Sequence, residues 1–231
     1  MNISYCEKCI ENKDSIFKVL TKTQKKTLIS GINCISYKKN EIIYKEGFTP
    51  SGLIQLAKGK VKIFKDGISG KEQIIRLARH GDFIGYRALF ANDYYNASAG
   101  AFEDSIVCII NKEELFKTIG ENHLFAMQII NFLAKELGDA ESNIVSLTQK
   151  HLRGRLAESL LRLAETYGFE SDNQTIKISM YREDLANLAN MTTSNAIKTL
   201  YNFRDERVIE LDGKKIRVID YQALEKISRI G

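Results

Sequence analysis

Two groups of residues in this chain of 231 have types and spacing suited to chemistry. The first is the cysteines: Cys6 and Cys9 form a C-x2-C pair, and Cys34 and Cys108 follow. Thiolates hold soft metals, so the four can be read as an all-cysteine zinc site, although C-x2-C without a second close pair is a weak motif. The competing reading is structural, because cysteine in apolar surroundings behaves as a small core residue. A catalytic Cys6-Cys9 redox pair would need a βαβ context that the flanking residues lack, and no Ser/His/Asp set or paired carboxylates accompany it. His80, His123 and His151 have no ligand-like spacing.

The second group lies between Ser179 and Phe203. Arg182 to Ala189 reads as a short helix with Leu185, Leu188 and Ala189 inward. Asn190 tolerates the left-handed turn that follows, and Thr192 or Thr193 caps a second helix with Ala196, Leu200 and Phe203 inward. The outward face of that second helix carries Thr193, Ser194, Asn195 and Lys198, short polar groups and a cation that reach base edges or phosphate. Its free backbone amides suit a phosphate as well. An ordinary solvated helix surface is the alternative. Downstream, Val208-Ile209-Glu210-Leu211 and Ile216-Arg217-Val218-Ile219 flank Asp212-Gly213, a hairpin signal, with Lys214 and Lys215 at or beside the tip. A basic hairpin beside a helix-turn-helix is a wing, which positions on the DNA backbone without specifying sequence. Thr192, Thr193, Ser194, Asn195, Lys198, Arg182, Lys214 and Lys215 are therefore the expected DNA-binding set.

Other elements must position these groups. From Ile35 to Ile110, short β-rich runs alternate with glycine turns, and Val61 and Ile63 alternate with lysines in the period of a half-wet strand, so this part is expected to be a compact antiparallel barrel or sandwich. After Gly120 the texture turns helical. Ile130, Leu133, Leu137, Ala140, Ile144 and Leu147 recur at spacings of three and four, a heptad seam flanked by charges. Such a seam packs either on its own β-domain or on a second copy of the same helix, and the narrow stripe favours a parallel homodimer. His151 lies four residues beyond it and is read as facing the mate. A further helix from His151 to Tyr167 ends at Gly168.

Composition excludes disorder and any low-complexity class, at 44% hydrophobic and 27% charged residues with one proline. The longest apolar runs, such as Ile106 to Ile110, are far shorter than a membrane span, and the start lacks a cationic then apolar segment. The expected location is the cytoplasm, where the cysteines are expected as thiols. Net charge is +5, yet residues 151–231 hold 13 basic against 12 acidic side chains, so total charge says little about nucleic acid.

The chain resembles the Crp/Fnr transcription regulators along nearly its full length. The resemblance rests on Gly81-Asp82-Phe83-Ile84-Gly85, on Asp104-Ser105-Ile106-Val107-Cys108, on Ala134 to Gln149 leading into Arg155-Leu156-Ala157, and on Arg182-Glu183-Asp184-Leu185 through Leu200. It implies an α+β fold: an antiparallel β-roll of the double-stranded β-helix or jelly-roll type at 1–120 with an N-terminal arm, a dimerisation helix at 121–150, and a winged helix-turn-helix at 151–231. Implied partners are double-stranded DNA with a palindromic operator, a second copy of the chain and RNA polymerase, with no membrane and no enzymatic activity. The effector pocket falls at Gly85, Tyr86, Arg87, Ala97 and Ser98. Cyclic-AMP-binding members place a glutamate after the glycine and an Arg-Ser pair farther on. Tyr86 and Ala97-Ser98 stand there instead, and without the cation a cyclic phosphate loses a charge-assisted bond, so cyclic AMP is not the expected effector. Arg76 or Arg87 is left for some other anion. In the second helix of the reader, Ser194 and Lys198 replace the glutamate and arginine that members commonly use, so familiar operators do not transfer.

Cys6, Cys9 and Cys108 are similar to positions that hold a [4Fe–4S] cluster in oxygen-sensing members, which would need four thiolates. The family's third cysteine is Ser15 here, so Cys34 completes the set only if the start of the β-domain folds beside the N-terminal arm. Haem, bound by some relatives, has no support from the histidine spacing. The alternative to a regulator is a redox-responsive protein with an iron–sulfur or zinc site whose winged helix serves as a protein-interaction adaptor.

Overall fold

The computed structural model describes residues 3–12, 15–67 and 70–230, with the side chains of Ile3, Ser4 and Cys6 excepted. The chain divides into two units: Met1–Lys65 with Ile75–Gly138, and Asp66–Ile74 with Asp139–Gly231.

The β-rich part consists of strands β1 (Ile32–Tyr37), β2 (Ile42–Tyr44), β3 (Gly52–Lys58), β4 (Val61–Asp66), β5 (Glu72–Ala78), β6 (Phe83–Ile84), β7 (Ser98–Ala101) and β8 (Ser105–Asn111), all in the first unit except Asp66 of β4 and Glu72–Ile74 of β5, which fall in the second. They form two four-stranded sheets, ordered β1-β8-β3-β6 and β2-β7-β4-β5. Ile54, Leu56, Val61, Ala78, Ile84, Ala99 and Val107 fill one buried cluster. β7 reads Ser-Ala-Gly-Ala, too small to register as a strand from hydrophobicity, yet it pairs with both β2 and β4. Ala99 and Ala101 are buried there, and the small side chains let the two neighbours close over it.

Helix α1 (Ile3–Glu11), a short 3-10 turn (Ile16–Val19) and α2 (Lys22–Ser30) precede β1. Thr21 and Gln24 cap α2 reciprocally, Thr21 Oγ1 accepting from the Gln24 amide and Gln24 Oε1 from the Thr21 amide. Ser15, the residue at the missing cysteine position, accepts from the Phe17 amide at the start of the 3-10 turn. α3 (Tyr86–Phe90) follows β6, and α4 (Lys112–Glu121) follows β8. Helix α5 (His123–Gln149) buries Phe125 and Ile129 against Phe17, Leu53, Phe83 and Leu115. Phe17 touches Phe83 edge-on at 5.8 Å and Phe125 at 5.7 Å, tying arm, sheet and helix together.

The seam residues lie on a different stripe of α5. Leu133 is half-buried and packs on this core, whereas Ile130, Leu137, Ala140, Ile144 and Leu147 are exposed. The β-domain buries Phe125, Ile129, Phe132 and Leu133, so packing on the chain's own core takes up one of the six seam residues and leaves the other five exposed. His151 does not continue it: α5 stops at Gln149 and His151 is the N-cap of α6 (Leu152–Tyr167).

In the second unit, α6, α7 (Arg182–Leu188), α8 (Thr193–Asp205), β9 (Ile209–Asp212), β10 (Lys215–Val218) and α9 (Tyr221–Ile230) enclose Leu156, Leu160, Leu163, Leu185, Ala196, Leu200, Phe203 and Leu224. Ala186 is fully buried and lets α8 cross α7 closely. Among the described residues, no helix is long and apolar enough to cross a membrane.

Phe17→Ala removes the ring shared by arm, sheet and α5. It is expected to cost about 3–5 kcal/mol in a denaturant melt, as for other fully buried phenylalanines; a change near zero would mean the arm is not part of the core.

Candidate nucleic-acid interface and cysteine pocket

Asn190 sits at φ 50° between α7 and α8, the left-handed turn that its side chain tolerates. Thr192 is the N-cap of α8, its hydroxyl accepting from the Asn195 amide at 3.2 Å, so of the two threonines it is Thr192 that caps. Thr193, Ser194 and Lys198 are exposed on the first turns and Asn195 is half-buried beside them. Ala196, Leu200 and Phe203 hold the opposite face inside. Tyr201 continues the outward stripe one turn past Lys198, 46% exposed with the Arg204 guanidinium over its ring at 4.6 Å. Tyr201 shares the exposed face with the expected set but is not named in it, although its spacing of seven from Ser194 already places it there.

The hairpin differs in detail from its sequence signal. Asp212 pairs with Lys215 at the end of the ladder, so the two turn residues are Gly213 and Lys214, and of them only Gly213 has positive φ, at 55°. That pattern, glycine first, is the second of the two tight hairpin turns. Both tip residues are tied to the start of α7. Arg182 Nη2 donates to the Gly213 carbonyl at 2.7 Å, and the Lys214 ammonium lies 3.6 Å from the centre of the Tyr181 ring. Lys215 pairs with Glu170 at 3.0 Å. Arg182 is half-buried, desolvation moves its pKa down, and its bond to Gly213 braces the wing. Within the same unit, Lys71 Nζ donates to the Met191 carbonyl and Gln73 Nε2 to the Asn187 carbonyl, each at 2.6 Å. These bonds satisfy backbone oxygens at the end of α7 and in the turn before α8.

Asp172 buttresses the wing from behind. Its carboxylate accepts from the Thr175 hydroxyl and from the Thr175 and Gln174 amides, and Thr175 bridges to Arg217 of β10. These bonds lower its pKa to about 2.

The cysteine pocket lies in the first unit. Cys9 is buried on α1, and Cys9, Ala57 and Cys108 form one core cluster with Cys34, Tyr5, Ile32 and Ile106 packed against it. The start of β1 therefore does fold beside the N-terminal arm. Cys34 and Cys108 face each other directly in the β1–β8 register, with Cα atoms 4.2 Å apart, and are joined as a disulfide. This corrects the expectation of thiols throughout: antiparallel pairing brings the two sulfurs within bonding reach. Burial pushes the Cys9 thiol up to about 11. The Cys6 side chain lies outside the described residues, and Cys6 precedes Cys9 by one helical turn of α1. With Cys34 and Cys108 bonded to each other, no group of three or more His, Cys, Asp and Glu able to hold a metal stands among the described residues. His80 Nδ1 is engaged with the Ala57 carbonyl at 2.9 Å.

At the expected effector pocket, Gly85 has φ 69° and opens α3. A Cβ there would lie 2.6 Å from a ring carbon of Tyr95, which stacks on Tyr44 with centroids 4.0 Å apart. Tyr86 donates its hydroxyl to Glu136, Arg87 pairs with Asp93 at 3.1 Å, Ala97 is buried, and Ser98 Oγ accepts from the Glu46 amide at 3.1 Å. Arg76, the other candidate for an anion, pairs with Glu136 at 2.9 Å.

An antiparallel β-domain followed by a long helix and a winged helix-turn-helix with an exposed polar face defines the class of winged-helix DNA-binding proteins. The cyclic nucleotide-binding domain profile matches residues 34–122, and the Crp-like helix-turn-helix domain profile matches residues 154–227. The chain is 28% identical over 176 residues to the anaerobic regulatory protein of Bacillus subtilis (strain 168), covering 75% of this chain and 74% of that one. It is 27% identical over 191 residues to the electron transport regulator A of Shewanella oneidensis, covering 82% and 76%. Among solved structures it is similar to FixK2 from Bradyrhizobium japonicum, with TM-score 0.76 and 23% identity over 85% of this chain and 96% of that one. The chain belongs to the Crp/Fnr family of transcription regulators and carries that family's helix-turn-helix DNA-binding domain.

The stability Asp172 gives the wing is present above the ordinary carboxylate pKa of about 4 and is lost as pH falls toward the lowered value. The Thr175 amide resonance should accordingly titrate with a midpoint at about 2. A midpoint near 4 would show that these bonds do not form in solution.

Proposed function

We propose that this regulator works as a cytoplasmic homodimer, joined along Ile130, Leu133, Leu137, Ala140, Ile144 and Leu147, that reads a palindromic site and answers a redox signal at its cysteines. The observation that carries the reading of DNA is the exposed polar start of α8 held beside a wing whose tip is braced on α7. Thr193, Ser194, Asn195 and Lys198 then face base edges in the major groove, while Lys214 and Lys215 meet phosphates. Thr192 fixes the helix start and Arg182 the wing. The apolar seam supports the dimer, since a stripe this long, exposed at every position but Leu133, fits a second copy in parallel, which sets two reading helices about 34 Å apart. RNA polymerase is the further partner of such a regulator. A winged helix used only as a protein adaptor is not favoured by a chain of this family.

The redox reading is supported by the gathering of Cys9, Cys34 and Cys108 in one buried cluster, with Cys6 a turn away, and by relatives named for anaerobic regulation and electron transport. The donor set fits a [4Fe–4S] cluster in number and chemistry once the Cys34–Cys108 bond is open; Cys6, Cys9, Cys34 and Cys108 would hold it. Such a group supplies a one-electron couple sensitive to oxidants. What the chain itself contributes is a dry apolar wall from Tyr5, Ile32, Ala57 and Ile106, and a β1–β8 pairing that places two ligands side by side. Four thiolates suit zinc as well, but zinc has no redox couple of its own and would not supply the signal proposed here.

Lys198→Ala should change base preference at one position of each half-site, by about 1–3 kcal/mol, whereas Lys214→Ala should weaken all duplexes alike and reduce the salt slope by about one. Equal losses on every duplex from both changes, in gel-shift titrations, would contradict these roles. Protein purified without oxygen should show visible absorption with iron and sulfide in equal amounts, both lost in Cys34→Ser. A colourless, iron-free product would leave the dithiol pair alone as the sensing group, read out by counting free thiols before and after reduction.

A further inference from the structure

A half-buried polar knot joins the β-roll to α5 beside the expected effector pocket. Glu136 Oε2 accepts from Arg76 Nη1 at 2.9 Å and from the Tyr86 hydroxyl. Arg76 Nη2 donates to the Phe83 carbonyl at 2.5 Å, and its guanidinium stands 5.4 Å from the centre of the Tyr86 ring. Phe132, one turn before Glu136 on α5, meets Tyr86 edge-on at 4.9 Å and Phe83 at 5.6 Å. The side chains of Arg76 and Glu136 are 29% and 23% exposed, so water competes only weakly for them. Burial pushes the Tyr86 phenol upward, which keeps its proton available to donate. Glu136 sits two residues before Gly138, where the first unit ends.

The neighbouring surface offers a small molecule little. The Tyr44–Tyr95 stack lies against Gly85, and the hydroxyl and guanidinium that could greet a sugar or a phosphate are already bonded to one shared carboxylate. We infer that Arg76, Tyr86 and Glu136 form an internal clasp that does the work of a bound effector at this place, fixing where α5 leaves the sensor and thereby setting DNA affinity without any cyclic nucleotide. Arg76 and Tyr86 are positioning residues, acting through Glu136 on the helix. The inference rests on the regulator reading and adds to it a site where the signal enters α5.

The test uses the full chain, Glu136→Gln and the milder Tyr86→Phe, with a duplex selected by the wild-type protein from a pool with a randomised palindromic centre. Amide exchange in residues 130–138 should accelerate about tenfold or more in the variants, as expected for loss of a hydrogen bond to a charged group, while thermal melting stays cooperative. Affinity for the selected duplex should change by about fivefold or more. Cyclic AMP or cyclic GMP at millimolar concentration should move neither readout in the wild type. If either readout stays at the wild-type value in both variants, or if either nucleotide protects these amides or alters affinity, the clasp is refuted. Failure to select any duplex would count against the regulator reading instead, and the exchange comparison would still decide whether the clasp holds α5.

Discussion

Burial of Phe125, Ile129 and Phe132 on one side of α5 is the constraint from which the rest of the architecture follows. A helix has few ways to satisfy two partners at once, and filling one stripe with the aromatic core of the β-roll fixes its rotation about its own axis. With that rotation set, Ile130 and Leu137 have no choice of direction and remain exposed to water, and Ile144 and Leu147 farther along the helix are exposed as well. At roughly 25 cal/mol per Å2 of apolar surface, covering such a ridge is a substantial driving force for association. The same rotation points Glu136 at Arg76 and Tyr86, so packing and polar contacts agree on a single placement.

Much of this was legible from residue order. The period-two pattern around Val61 and Ile63, the heptads after Ile130 and the segment from Arg182 to Phe203 each carry a local signal strong enough to stand alone. What stayed hidden is what depends on distant partners. β7 is invisible because Ser-Ala-Gly-Ala is chosen for closeness to β2 and β4, not for hydrophobicity. The opposition of Cys34 and Cys108 is a register fact separated by 74 positions in sequence. Glu136 reads as one of several charges flanking a seam, and only the fold distinguishes it from Lys135 and Asp139, which are exposed.

The exposed polar face of α8 was legible because its pattern is local: a cap, a turn and an outward stripe, all close together in the chain. The roles of Arg182, Lys214 and Lys215 were less so. Each is basic and close to the wing, yet each has an internal partner in Gly213, Tyr181 or Glu170, and nothing in the local sequence announces those pairs.

That bracing has a kinetic side. A loop that must be ordered on arrival at DNA spends part of its contact energy on immobilisation, whereas Gly213 and Lys214 are already pinned to Met180, Tyr181 and Arg182 before any duplex is present. The tip is preshaped, with the Lys214 ammonium resting on an aromatic face. A hairpin braced in this way has no ordering step left to slow whatever it meets, so differences in its affinity for a partner would fall on the rate of leaving rather than of arriving.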